Sequence, residues 1–588
     1  MANYHVAIHD DSRPRMVDLV LRFKVSVLPS TQRQVQDTYS IEAIATSEQI
    51  DESTNLGYRL DRYENLDAAR MPSIATRATD GSDNLTVDEV EQAWAGLAGA
   101  NSDIVEFVEL PVPTHEARRS HAVHVHGGDP AKTAVVFLGG IHAREWGSPD
   151  ILINFLQQVI TAYSSGNGIT QGSYVCTNAE VGSIVNTLDI IVFPLANPDG
   201  RNYSMTTDPL WRKNRRHAGA GDPVCLSGGG NGPGVDLNHN YDFLWDFQNK
   251  FSPAAGVRTS TDPCDATFNG PRVTSEPETQ NVVWLVEGAS NLGYFIDIHS
   301  FGEDILYSWG DEDDRTTDPS MNFREASFDT KRGVLDSDPG GDPAKYAEYL
   351  PVTDLDSRKA LGSVMTAAIQ VAHGRAYTLK SSANLYPTSG TSPDYAYARK
   401  FTDPTTSTVL SYTIEWCPAR SEVAASFHPD YVDMVRIIEE ITAALLAFCI
   451  AVAKQFVSAP QVTGMDPNTG DETGGTTVTI TGTGFTGATD VGFGATSATT
   501  LFRRLRHPNH RHQPHRYRHD QHHRHPPRRH QPHHRHRPIH LRARGRANEY
   551  STAEQIMSGP DGDRHASTAT GQRRTKDSWA STPQMPAN

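Results

Sequence analysis

The stretch that decides the fold is TAVVFLGGIHAREWGSPDILINFLQQVITAYSS, Thr133 to Ser165. Its first six residues are apolar apart from Thr133, the mark of a strand covered on both faces. A polar turn follows, and then an amphipathic run with Ser148 placed to cap a helix and Pro149 at its first position. Strand, turn, helix is one α/β unit. The same alternation recurs around TLDIIVFPLANPDG (Thr187–Gly200), LGYFIDIHS (Leu292–Ser300) and TVLSYTIEW (Thr408–Trp416). A central sheet with helices on both faces is the expected class, with ligands gathering at the ends of its strands.

Working outward, the chain is too long at 588 residues for one domain. A formal charge of −17 argues against nucleic acid as the partner of the main body. The N-terminal stretch 1–80 reads as an accessory α/β unit. DLVLRFKVSVL (Asp18–Leu28) and IEAIA are strands, and the helix TSEQIDESTNLG carries a capping box at Thr46 and Gln49 and stops at Gly57. YRLDRYENL follows as a third strand. The main unit spans 86–458, with a second capping box expected at Ser275 and Glu278, and closes on a helix through ITAALLAFCIAVA. That run is too short for a transmembrane segment. No secretory signal is legible at the N-terminus, which alone points to the cytoplasm. Residues 459–501 are rich in Gly, Thr and Val in short alternating runs, the pattern of a β-sandwich. From 502 to 588 the chain is rich in Arg and His with little to bury, and reads as disordered.

The chemistry sits at strand ends. His142 and Glu145 form H-x-x-E, a nitrogen and an oxygen ligand able to reach one ion. With 26 histidines in the chain, about one or two such pairs arise by chance, so the motif alone is weak. His299 ends a second apolar strand and Glu415 lies inside a third. A polar group in such a run is costly without a partner.

Taken together, HAREW, NPDG, WRKNRR, GVDLNHNYD, SEPET, DIHS, LYPTSG and TIEW, in this order, resemble the zinc carboxypeptidases that include the pancreatic A and B enzymes. The resemblance implies a mixed, mostly parallel sheet and one zinc ion held by His142, Glu145 and His299. It implies Glu415 as general base and Arg212 as stabiliser of the oxyanion. Arg144, Asn238 and Tyr386 are implied as substrate contacts. His239 stands where the family carries the arginine that grips the terminal carboxylate, which predicts weaker capture, improving at mildly acidic pH. Pro393 falls at the floor of the side-chain pocket, beside Asp394, and argues for apolar or aromatic C-terminal residues. Cys225 and Cys264 match a family disulfide, which favours an exported protein despite the missing signal. Cys176, Cys417 and Cys449 read as core residues.

The Gly-Thr segment resembles about half of an IPT/TIG-like domain, a module for cell-surface or polysaccharide contact. The His/Arg tract is then either a metal-binding tail or a reading-frame slip near Thr500. The slip explains why a sandwich stops halfway. The resulting expectation is a metallocarboxypeptidase acting on peptide or protein C-termini. Two alternatives stand beside it: a peptidase for cell-wall or other unusual C-termini because of His239, and a catalytically weak surface-binding protein. The N-terminal unit is either a covering prosegment or an ordinary module.

Overall fold

The computed structural model describes residues 3–12, 15, 25–35, 38–65, 83–125, 132–217, 225, 233–289, 291–334, 346–420, 423–456, 461–467, 474–483, 490–493, 496–497, 500–501, 515–520 and 539–542. An eight-stranded sheet organises the main unit. Its order is Thr378–Ser381, Asp304–Tyr307, Leu410–Trp416, Leu292–Ser300, Thr133–Gly139, Leu188–Phe193, His121–Val125, Val105–Glu109. The three central neighbours, and the outer pair at the Thr378–Ser381 edge, are parallel. The remaining three pairings are antiparallel, so the sheet is mixed and mostly parallel.

Alternation along a strand assigns its two faces. In Thr133–Gly139, Val135 and Phe137 pack into one core with the helices Gly147–Ser165 and Tyr431–Phe456. Ala134, Val136 and Leu138 pack into another, against the helix Pro277–Gly288. Helices thus cover both faces. Among the described residues no helix is long and apolar enough to cross a membrane.

Two expected caps are corrected. The helix after HAREW begins at Gly147 with Trp146 at its cap position and no side-chain cap. The Ser148 hydroxyl instead accepts the Trp416 indole N–H at 3.0 Å. The helix Pro277–Gly288 starts beyond the Ser275 capping box, because Ser275 Oγ donates to Glu276 at 2.6 Å. At Thr46 the expected box forms, and it opens the helix Ser47–Asn55. The N-terminal unit is a four-stranded sheet in the order Ser26–Val35, Thr38–Thr46, Asn3–Asp10, Arg59–Asn65. Its strand Asn3–Asp10 was not anticipated from sequence. The strand expected at Asp18–Leu28 lies partly outside the described residues, and the described one runs Ser26–Val35.

At the C-terminal end, Gln461–Asp466 pairs with Gly474–Thr483, and Asp490–Phe493 pairs with Thr496–Ser497. Two strands fall within the tract expected to be disordered. His515–Asp520 pairs with Gly474–Thr483, and Ile539–Arg542 with Asp490–Phe493. The rest of the tract lies outside the described residues.

Candidate active site

Sheet register gathers the site. His299 and Glu415 face each other across parallel neighbours, and Ile298 lies opposite Gly139, three residues before His142. His142, Glu145 and His299 are all buried. His142 Nδ1 lies 2.6 Å from Glu145 Oε1, His299 Nδ1 lies 3.1 Å from Glu145 Oε2, and the two Nδ1 atoms are 3.0 Å apart. Each histidine turns its other nitrogen to a carboxylate. His142 Nε2 is 3.3 Å from Asp236 and His299 Nε2 is 3.0 Å from Asp297. A carboxylate behind each Nε2 is the arrangement that orients a metal-binding imidazole with its Nδ1 inward. Two imidazole nitrogens and a carboxylate converging within 4.8 Å of one another fit a zinc ion. The histidines hold the Glu145 carboxyl well below the usual range despite its burial, so its ligand oxygens are ionised.

Asp236 and Asp297 escaped the sequence reading, although each stands two residues before a singled-out residue. On the strand, Asp297 and His299 share a face with Phe295. Asp236 also accepts from Arg212 Nε at 2.8 Å, which aims that guanidinium along the cleft. Burial pushes Glu415 up to about 8, with the Glu145 and Asp304 carboxylates adding to the rise.

His142, Arg144, Glu145, Arg212, Asn238, His239, Tyr386 and Glu415 line one cleft. Arg144 is buried over the Phe427 ring at 4.4 Å, and burial lowers its pKa to about 9. Its Nε and Nη1 have no partner among the described residues. Asn238 accepts the Ser392 N–H at 3.0 Å. His239 is buried, with Nδ1 2.8 Å from the Ser389 carbonyl. Burial lowers its pKa, which works against the gain of charge at mildly acidic pH that sequence alone expected. Pro393 and Asp394 are buried at the start of the helix Ser392–Thr402 and do not line this cleft. Asp394 accepts from Gly310 N–H at 3.1 Å and from the Thr391 hydroxyl at 3.0 Å. Cys225 and Cys264 are joined, with 5.2 Å between their Cα atoms. Cys176, Cys417 and Cys449 are free and buried.

Residues 90–443 match the family model described as zinc carboxypeptidase. The chain belongs to the zinc carboxypeptidase family. Residues 460–505 match the IPT/TIG domain. Zinc carboxypeptidase A 1 of Anopheles gambiae is 28% identical over 340 residues, covering 58% of this chain and 61% of that protein. Carboxypeptidase A2 of Rattus norvegicus is 30% identical over 226 residues, covering 38% and 46%. The chain thus spans about half to three-fifths of the length of these curated relatives. Among solved structures, the carboxypeptidase A of Helicoverpa armigera superposes with a TM-score of 0.55 at 21% identity, covering 78% of this chain and 99% of that one. This likeness shows that the zinc carboxypeptidase fold is shared.

Proposed function

We propose that the chain is a zinc-dependent metallocarboxypeptidase that releases single residues from free C-termini. The observation that carries this reading is the convergence of His142, Glu145 and His299, each histidine backed by a carboxylate, at a cleft that Glu415 and Arg212 line. Zinc held by that triad would supply a Lewis acid able to polarise a carbonyl. Glu415 accepts the proton of the attacking water and hands it to the leaving amine, and its raised pKa suits that exchange near neutral pH. Arg212, steadied by Asp236, donates to the developing oxyanion. Arg144, with two unpartnered buried nitrogens, and Asn238 and Tyr386 orient the substrate. The disulfide supports export to an oxidising compartment.

The N-terminal unit acts as a covering prosegment in this reading, because its Val25, Val27 and Leu28 line the same cleft. The test is mass spectrometry of a peptide mixture incubated with the chain, before and after limited cleavage within 66–82, with and without a zinc chelator. Chelator-sensitive loss of single C-terminal residues, faster after cleavage, is expected. Internal cleavage, or indifference to the chelator, would sink the reading.

A further inference from the structure

The SEPET motif, Ser275 to Thr279, and the asparagine of WRKNRR take no part in the chemistry described so far, yet they build a second cluster of metal-ligating side chains. Glu276 and Glu278 stand at the start of the helix Pro277–Gly288, each 1% exposed. The segment ahead of the strand His121–Val125 brings His115 to them, with 27% of its side chain exposed. One donor atom from each of these three residues lies within 4.8 Å of the other two.

Hydrogen bonds set the two carboxylates side by side. The Asn214 side-chain oxygen accepts the Val235 N–H at 2.8 Å and the Arg216 N–H at 3.2 Å, which turns its NH2 toward the glutamates. That NH2 donates to Glu276 Oε2 at 2.8 Å and to Glu278 Oε2 at 3.0 Å. Ser275 Oγ donates to Glu276 Oε1 at 2.6 Å, and His115 Nε2 lies 2.9 Å from Glu276 Oε2. Glu278 Oε1 is buried and has no partner among the described residues. Among those residues no lysine or arginine is ion-paired with either glutamate; the pairing of Glu276 is with His115. Two buried carboxylates in contact cannot both stay ionised unless a cation joins them. Burial pushes Glu278 up to about 7, with the Glu276 carboxylate adding to the rise, so near neutral pH its proton is readily exchanged for an ion. One imidazole nitrogen and two carboxylate oxygens, with water reaching the exposed side of His115, form a ligand set for a divalent transition-metal ion.

We propose that His115, Glu276 and Glu278 form a second divalent-metal site, separate from the group of His142, Glu145 and His299, with the unpartnered Glu278 Oε1 as one of its ligand atoms. The ion neutralises the paired carboxylates. It also ties the segment that carries His115 to the start of the helix Pro277–Gly288 and, through Asn214, to the stretch that holds Arg212. The site is weaker than the buried triad, because the ion must displace a proton and one ligand stands at the surface. It fills from added ion. The inference stands independently of the carboxypeptidase reading.

The experiment titrates Mn²⁺ into the full chain carrying its triad zinc, near neutral pH, and reads free Mn²⁺ by electron paramagnetic resonance. Mn²⁺ leaves the triad zinc in place, since Zn²⁺ is the stronger binder at a nitrogen–oxygen site. Wild type is expected to bind one Mn²⁺ that His115→Ala and Glu278→Gln bind roughly 10- to 100-fold more weakly, the range of a lost charge-assisted contact. Zinc content should be the same in all three proteins, which keeps the two sites distinct. Any Mn²⁺ held by the tract 502–588 is common to the three and drops out of the difference. If Glu278→Gln folds poorly, His115→Ala decides, since its side chain lies partly at the surface. Equal Mn²⁺ affinity in wild type and His115→Ala overturns the site. So does a wild type that binds no Mn²⁺ at millimolar concentration, and Glu278 is then a protonated member of a structural network.

Discussion

Two buried histidines line the same cleft, and both turn Nε2 toward Asp236, at 3.3 Å from His142 and 3.7 Å from His239. Their chemistry differs because of what Nδ1 meets. In His142 it meets Glu145 and His299, so it offers a lone pair to an ion. In His239 it meets the Ser389 carbonyl, so there it carries a proton and offers no lone pair. An imidazole's role is set by the partners of both nitrogens, which sequence cannot report for either one. One histidine joins a group that can hold a metal ion; the other is tied to the backbone of the Ser389 loop.

The largest effect should come at the metal group. Glu415→Ala should lower kcat by roughly 10²- to 10⁴-fold, the usual worth of a general acid–base group, while zinc remains bound. Loss of zinc in that variant would instead make Glu415 a ligand or a fold element. Asp236→Ala touches both histidines, and zinc affinity measured by competition with a chelator should fall roughly 10- to 100-fold. Unchanged affinity would mean that His142 needs no backing carboxylate.

The disulfide sharpens the contrast, because Cys264 lies on the segment that carries Thr259, whose hydroxyl is 3.1 Å from His239 Nδ1. Its removal by Cys225→Ala and Cys264→Ala together should cost about 3–4 kcal/mol for a sequence separation of 39. In activity it should appear as raised KM with zinc retained. Thermal melts and metal content read the two effects separately.

A smaller effect follows from Asp394. Burial raises its pKa from 3.8 to about 6. Between those values the folded chain binds a proton that the unfolded chain does not, so this group's contribution to stability is largest below pH 3.8. It is lost as pH rises through about 6. Wild type should therefore gain stability relative to Asp394→Asn on going from pH 7 to pH 4, by roughly 3 kcal/mol at most for a shift of about two units. Parallel melting curves for the two proteins would contradict that assignment.

The sheet was legible because its strands are apolar runs that carry His299 and Glu415 or lead into His142, where chemistry and periodicity coincide. The helix caps were less so. Ser148 and Ser275 have the right residue type at the right spacing, but Trp416 and Glu276 claim their hydroxyls. The first strand, Asn3–Asp10, was hidden by His5 and His9 between its apolar residues. Pairing of His5 with Glu42 at 2.9 Å compensates the buried ring. His115 had no legible signal, since it lies in an aperiodic segment and meets Glu276 only in the folded chain. The contact of Val25, Val27 and Leu28 with the cleft is equally long-range.

The most direct measurement is the zinc content of the purified chain and its variants by elemental mass spectrometry. The account predicts one zinc per chain in wild type and Glu415→Ala, and none in His299→Ala. A wild-type chain without stoichiometric zinc, or His299→Ala retaining it, would contradict the triad and favour a surface-binding protein built on an inactive peptidase fold.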